Sequence, residues 1–212
     1  MKKPYTDIRL SSLPIHVRHI IYQILDREGG KFTDHENDWP TKWGIRKLSA
    51  DRAGYKGRIE DIDQDTAGQI WASLFWYGPN LHVVDHVSTL IAETVLDTAG
   101  PAGLRIGITH LQEALTSFNK IEDGQRIYGE DLSRDGIIGP KTIEQLEKYL
   151  DHRRGQQGTK KLATRLNCLQ DAHYCRIAIA KPGKRDFSFG WNSTRVFADL
   201  VELAKDTDPM YA

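Results

Sequence analysis

An apolar stripe at helical spacing runs through residues 13–27 and stops at Gly29-Gly30. Ile15, Val17, Ile20, Ile21, Ile24 and Leu25 recur with the period of an α-helix, and Pro14 suits the first turn. A helix striped in this way has to bury one side against other elements, so the chain needs a layered, helix-built core. More helices follow from the same pattern. One is predicted over 65–76, capped by Asp65 or Thr66 and ended by Gly78-Pro79. A third spans 82–98, with Val83, Val87, Leu90, Ile91, Thr94 and Val95 inward. A fourth, 101–118, is entered through Gly100-Pro101, and a fifth runs from Pro140 to about Leu150. Residues 160–180 and 192–205 complete the set.

Between these helices lie two irregular regions. Residues 31–63 mix Asp, Asn, Pro and Gly with aromatics, which reads as a long loop with a short hairpin. Ordered loops of that length tend to be functional. Residues 121–138 are polar and Gly-rich, a hairpin or paired turns, and residues 151–158 form a surface linker. The fold class expected is mainly α (α+β): a helical bundle with a small β hairpin and a long N-terminal loop. The natural division falls near residue 100. Residues 1–99 then form a catalytic-looking region and residues 100–212 a helical one, packed together as one unit.

Lys+Arg and Asp+Glu balance at 29 each. A general nucleic-acid binder would carry a basic excess, so the balance argues against nucleic acid as the partner, though it leaves room for a local basic groove. No apolar run approaches the length of a membrane span. No continuous apolar stretch follows the basic start, so neither a signal peptide nor an anchor is expected. Cys168 and Cys175, the only cysteines, sit seven apart on one predicted helix face. That spacing is too wide for an intrahelical disulfide, and they are expected to be buried thiols.

The chemistry centres on Glu28. It sits in the last turn of an apolar helix, where the negative end of the helix dipole disfavours ionisation. Partial desolvation would add to that effect, and a protonated carboxyl is what acid-catalysed acetal cleavage needs. The loop after it supplies Asp34, Glu36 and Asp38, any of which can serve as the second carboxylate of a glycosidase pair. Thr41 can position a water. Phe32, Trp39 and Trp43 offer flat apolar faces for sugar rings. Read as plain structure, Glu-Gly-Gly is an ordinary helix end and the acidic loop a solvated one.

The order of these residues resembles a known family. Glu28-Gly29-Gly30, then Asp34, then Thr41-x-x-Gly44-Ile45, is similar to the N-terminal signature of glycoside hydrolase family 108, the lysozyme-like N-acetylmuramidases of phage endolysins. Asp65-Thr66-Ala67 leading to Ile70-Trp71 and Phe75-Trp76 continues the resemblance, as do Leu96-Asp97, Gly100-Pro101 and Leu111-Gln112-x-x-Leu115. Asp135-Gly136-Ile137-Ile138-Gly139-Pro140-x-Thr142 and Phe189-Gly190-Trp191-x-x-x-Arg195 resemble the predicted peptidoglycan-binding region found in such proteins. The resemblance implies a lysozyme-like fold and hydrolysis of the β-1,4 bond between N-acetylmuramic acid and N-acetylglucosamine, with Glu28 as the catalytic acid. Asp34 holds the family's aspartate position, whereas Asp38 and Thr41 sit more like the Asp/Thr pair of phage lysozymes. The water-handling role is therefore open between Asp34 and Asp38. Lys31, Trp39-Pro40 and Arg46 depart from the family pattern.

That reading makes bacterial peptidoglycan the partner. The chain is expected to work as a monomer with no cofactor and no metal. It would be made in a host cytoplasm and act in the periplasm or wall after release by a holin or a secretion machine. Two alternatives stand beside it: a non-catalytic peptidoglycan-binding or phage structural protein of the same fold, and a glycosidase of chitin or chitosan type. Asp131-x-Ser133-x-Asp135-Gly136 matches the first half of a calcium loop, but Thr142 stands where the bidentate Glu belongs, so a turn is the better reading. His82 and His86 lack the Glu of a zinc-protease helix. Lys181 to Arg185 reads as a solvated basic loop.

Overall fold

The computed structural model describes residues 4–34, 40–154 and 157–185. It is mostly helical, with two small antiparallel hairpins, in agreement with the expected mainly α, lysozyme-like class. The chain separates into two compact units, Met1–His86 and Val87–Ala212. Residue 100, where the sequence suggests a division, lies inside a helix.

In the first unit, α1 spans Ile15–Glu28 behind the N-cap Pro14. Val17, Ile21, Ile24 and Leu25 are buried as the stripe requires, while Ile15 is 75% exposed at the start of the helix. Two short 3-10 turns, Tyr5–Asp7 and Leu10–Ser12, precede it and add Ile8, Leu10 and Leu13 to the core. Hairpin β1 (Thr41–Lys42) and β2 (Ile45–Arg46) follows, pairing Thr41 with Arg46 and Lys42 with Ile45. Its central residues, Trp43 and Gly44, have φ of 55° and 70°. This is the type I′ geometry that matches strand twist in a two-residue loop.

The region read as one long loop also contains a helix, α2 (Lys47–Ala53), closed by Gly54 in the left-handed conformation. The next helix, α3 (Gln64–Trp71), starts earlier than expected. Asp63, not Asp65 or Thr66, caps it by accepting from the Thr66 amide at 2.7 Å. It runs on into a π-helical stretch, Ala72–Tyr77. Gly68 lets α3 pack closely, since a Cβ there would lie 2.7 Å from Leu10 Cδ1 and 3.6 Å from Ile21 Cγ2.

The expected helix over 82–98 is two helices, α4 (Leu81–Val87) and α5 (Thr89–Ala102). Gly100-Pro101 lies in the last turn of α5 and does not open the next helix. The break comes at Gly103, whose φ of 88° an L-residue resists, and α6 (Leu104–Ser117) begins after it. In the second unit α5, α6 and α8 (Gly158–Ala180) form the core. Gly107 brings α6 against α5, because a Cβ there would stand 2.6 Å from the Val95 carbonyl oxygen. Hairpin β3 (Ile121–Glu122) and β4 (Gln125–Arg126) turns at Asp123-Gly124, again with two positive φ values. Pro140 opens α7 (Pro140–His152) at its first position, as read from sequence.

Along α8 the inward face is Leu162, Leu166, Gln170, Tyr174 and Ala178. Cys168 and Cys175 share a face, but it is the outer one: both are exposed, contrary to the expectation of buried thiols. Seven-residue spacing says that two side chains lie together on a helix, not which way they point. The helix expected over 192–205 lies outside the described residues.

Candidate active site

Glu28 is the last residue of α1, and Gly29 follows with φ 69° and its amide bonded to the Leu25 carbonyl at 2.8 Å. The backbone therefore leaves the helix at the point the Gly-Gly pair marks. The Glu28 side chain is exposed rather than desolvated. Among the described residues no lysine or arginine is ion-paired with it.

What fixes its direction is the hairpin. A Cβ placed on Gly44 would lie 3.0 Å from both Cγ and Oε2 of Glu28. The carboxylate thus lies against the bare backbone of the β1–β2 turn. Gly44 is needed twice over, once for its positive φ and once for the space its missing side chain leaves. Gly30 plays the matching role under the neighbouring tryptophan, where a Cβ would come within 2.5 Å of Trp43 Cζ2.

Trp43 is half-buried and tied at both ends. Its indole N–H donates to the Ile62 carbonyl at 3.0 Å, and its own carbonyl accepts from the Trp71 indole at 3.0 Å. Trp71 in turn stacks on Phe75, with ring centres 4.1 Å apart. The turn beneath Glu28 is therefore held from α3. The sequence assigned Trp43 to sugar contact; its indole also packs the turn, with one part against Gly30.

Thr41 is half-buried in β1. Its amide and carbonyl pair with Thr33, both at 2.9 Å, forming a bridge that lays Thr33 beside the hairpin as a third short strand. Asp34 follows that bridge directly and is exposed, and Phe32 precedes it, half-buried. Lys42 anchors the same strand by donating to the Glu60 carbonyl at 2.6 Å. The fold thus brings Glu28, Asp34 and Thr41 to one end of α1 and its hairpin. Asp38 and Trp39 lie outside the described residues.

Sequence reasoning missed the contacts that orient Glu28. Gly44 alone hints at a turn, but Trp43 is a residue that resists the positive φ a type I′ loop requires, so the hairpin carried no clear local signal. No sequence cue shows that its glycine lies under a carboxylate. Asp135, half of the calcium pattern, is engaged as a turn acceptor: its Oδ1 takes hydrogen bonds from Gln112 at 2.7 Å and from the Ile137 amide at 2.9 Å. Those bonds hold its carboxyl below the usual carboxylate range. His82 leans on Tyr77 with ring centres 5.2 Å apart, and burial lowers its proton affinity.

Comparison with known families gives two matches that follow one another along the chain. The glycosyl hydrolase 108 model matches residues 21–103. The model described as a predicted peptidoglycan domain matches residues 106–196. The two follow in the order read from the motifs and meet near the Gly103 break. No curated protein matches the chain. The protein is a glycoside hydrolase of this two-part kind, acting on peptidoglycan.

Proposed function

We propose that the protein is a lysozyme of endolysin type, cleaving the β-1,4 bond between N-acetylmuramic acid and N-acetylglucosamine. The observation that carries this is the seating of Glu28 at the end of α1, against Gly44 and beside the strand that begins at Thr41. Glu28 gives its proton to the glycosidic oxygen as the bond to the anomeric carbon breaks. Water adds to that carbon and passes its proton to an aspartate, Asp34 or Asp38, with Thr41 orienting it. The separation of the two carboxyl groups sets whether the anomeric configuration inverts or is retained. Phe32, Trp39 and Trp43 supply apolar faces for the sugar rings. The chain works as a monomer and reaches the wall from a host cytoplasm through a holin or a secretion machine.

The test is turbidity clearing of outer-membrane-permeabilised cells by wild type and by Glu28→Gln. Loss of the acid should slow clearing by about 10²–10⁴-fold. Equal clearing by both proteins removes Glu28 from the mechanism. Mass spectrometry of the products separates the bonds: new reducing ends on N-acetylmuramic acid are expected, and ends on N-acetylglucosamine refute the muramidase reading. Expressed inside cells, the protein should leave them intact until a membrane pore is supplied; lysis without a pore would refute the release route.

A further inference from the structure

Strand pairing sorts the side chains of the hairpin beside Glu28 into two faces. Paired residues share a face, and neighbours along a strand alternate. Lys42 and Ile45 form one pair. Ile45 is 1% exposed and Lys42 donates to the Glu60 carbonyl, so theirs is the inner face. Thr41 and Arg46 form the other pair and stand on the outer face. The bridge between Thr33 and Thr41 adds Thr33 to that row. Alternation then puts Lys31, two positions earlier, on the same side. Lys31 and Arg46 are both exposed. Two cations thus flank the strand of Thr41, the threonine assigned to the reacting water.

Unlike Lys42, whose amine is taken up by Glu60, Lys31 has no ion-pair or hydrogen-bond partner among the described residues. Arg46 interacts elsewhere in the chain, and its five N–H donors leave room for a second acceptor. The outer strands are two strand spacings apart, about 10 Å, a gap that a lysine and an arginine can close over one carboxylate. The sugar rings of a wall strand are uncharged and ask only for neutral donors and apolar faces. In the intact strand the lactyl acid of N-acetylmuramic acid is tied up as an amide with the stem peptide. The free carboxylates therefore belong to the peptide.

We infer that Lys31 and Arg46 are specificity residues that hold a carboxylate of the stem peptide. The enzyme then selects strands that carry peptides beside the bond it cuts, and bare glycan is the poorer substrate. The inference rests on the reading of Glu28 and its hairpin as the active site. It deepens that reading by naming which part of the substrate, besides the sugars, the first unit recognises.

The experiment compares kcat/KM of the full chain on soluble peptidoglycan strands that keep their stem peptides and on the same strands stripped by an amidase. The wild type should favour the peptide-bearing strand by about tenfold, Lys31→Gln and Arg46→Gln by about threefold each, and the double variant not at all. Lys31→Arg, which keeps the charge, should keep the preference. A double variant with the wild-type preference overturns the proposal. So does a wild type that favours the stripped strand, where the freed lactyl carboxylate is the anion: the cations would then read the sugar and not the peptide. Both side chains are exposed, and a ratio taken on one preparation does not depend on its folded fraction. The reading of the active site fails separately: it is lost if Glu28→Gln clears cells as the wild type does, whatever the strand preference.

Discussion

His110 makes the second unit acid-sensitive by an amount that can be worked out. It lies on α6, 7% exposed, edge-on to His173 with ring centres 5.8 Å apart. Its Nδ1 has no partner among the described residues. Burial, followed by the positive neighbours His173 and Arg176, pulls its pKa from 6.5 down to about 4. The folded state therefore prefers the neutral ring, and between those two values the unfolded chain binds more protons. The stabilisation is complete above 6.5, falls as pH drops through the window, and is gone below about 4. Each power of ten in proton affinity is worth about 1.36 kcal/mol, so the full loss is about 3 kcal/mol, and about 2 kcal/mol of it has occurred by pH 5. His173, also lowered by burial, adds loss in the same direction.

The assay is urea unfolding followed by far-UV circular dichroism, at pH 7.5 and pH 5, for wild type and His110→Gln. The variant lacks this titration, so its stability should fall less, and the gap between the two proteins should close by about 2 kcal/mol. His173 contributes to both proteins and cancels in that difference. A gap that stays constant within about 0.5 kcal/mol across this range would falsify the account of His110 as a buried neutral base.

Two further outcomes follow from close packing and from loop anchoring. Gly44→Ala should lower stability by about 1 kcal/mol through its positive φ. It should also lower the clearing rate by about tenfold beyond the loss of folded protein, because the new methyl displaces Glu28. A clearing rate that merely follows the folded fraction, read from thermal melts, would show that the hairpin does not aim the acid. Gln112→Leu removes the hydrogen bonds to Asp135, Ile137 and Gly136, which together should cost about 3 kcal/mol in urea unfolding. A loss below about 1 kcal/mol would mean the loop keeps its shape without Gln112.

By itself the sequence determined most of the longer helices, the turns at Asp123-Gly124 and Pro140, and the family. Periodicity depends on the backbone repeat alone, so α1, α6, α7 and α8 could be read to within a few residues. Asp123-Gly124 and Pro140 act locally, and they hold the positions their backbone preferences suggest. The ordered motifs from Glu28 to Arg195 identified the two matched regions, since each motif is short but their succession is specific. Only the tertiary structure decided which face of α8 is buried, and with it the exposure of Cys168 and Cys175. The seating of Glu28 on Gly44, the anchoring of Trp43 by Ile62 and Trp71, and the capture of the Asp135 turn by Gln112 were likewise invisible in the chain. Each joins residues 16 or more positions apart, and a contact of that kind is set by how elements pack, which no local preference encodes.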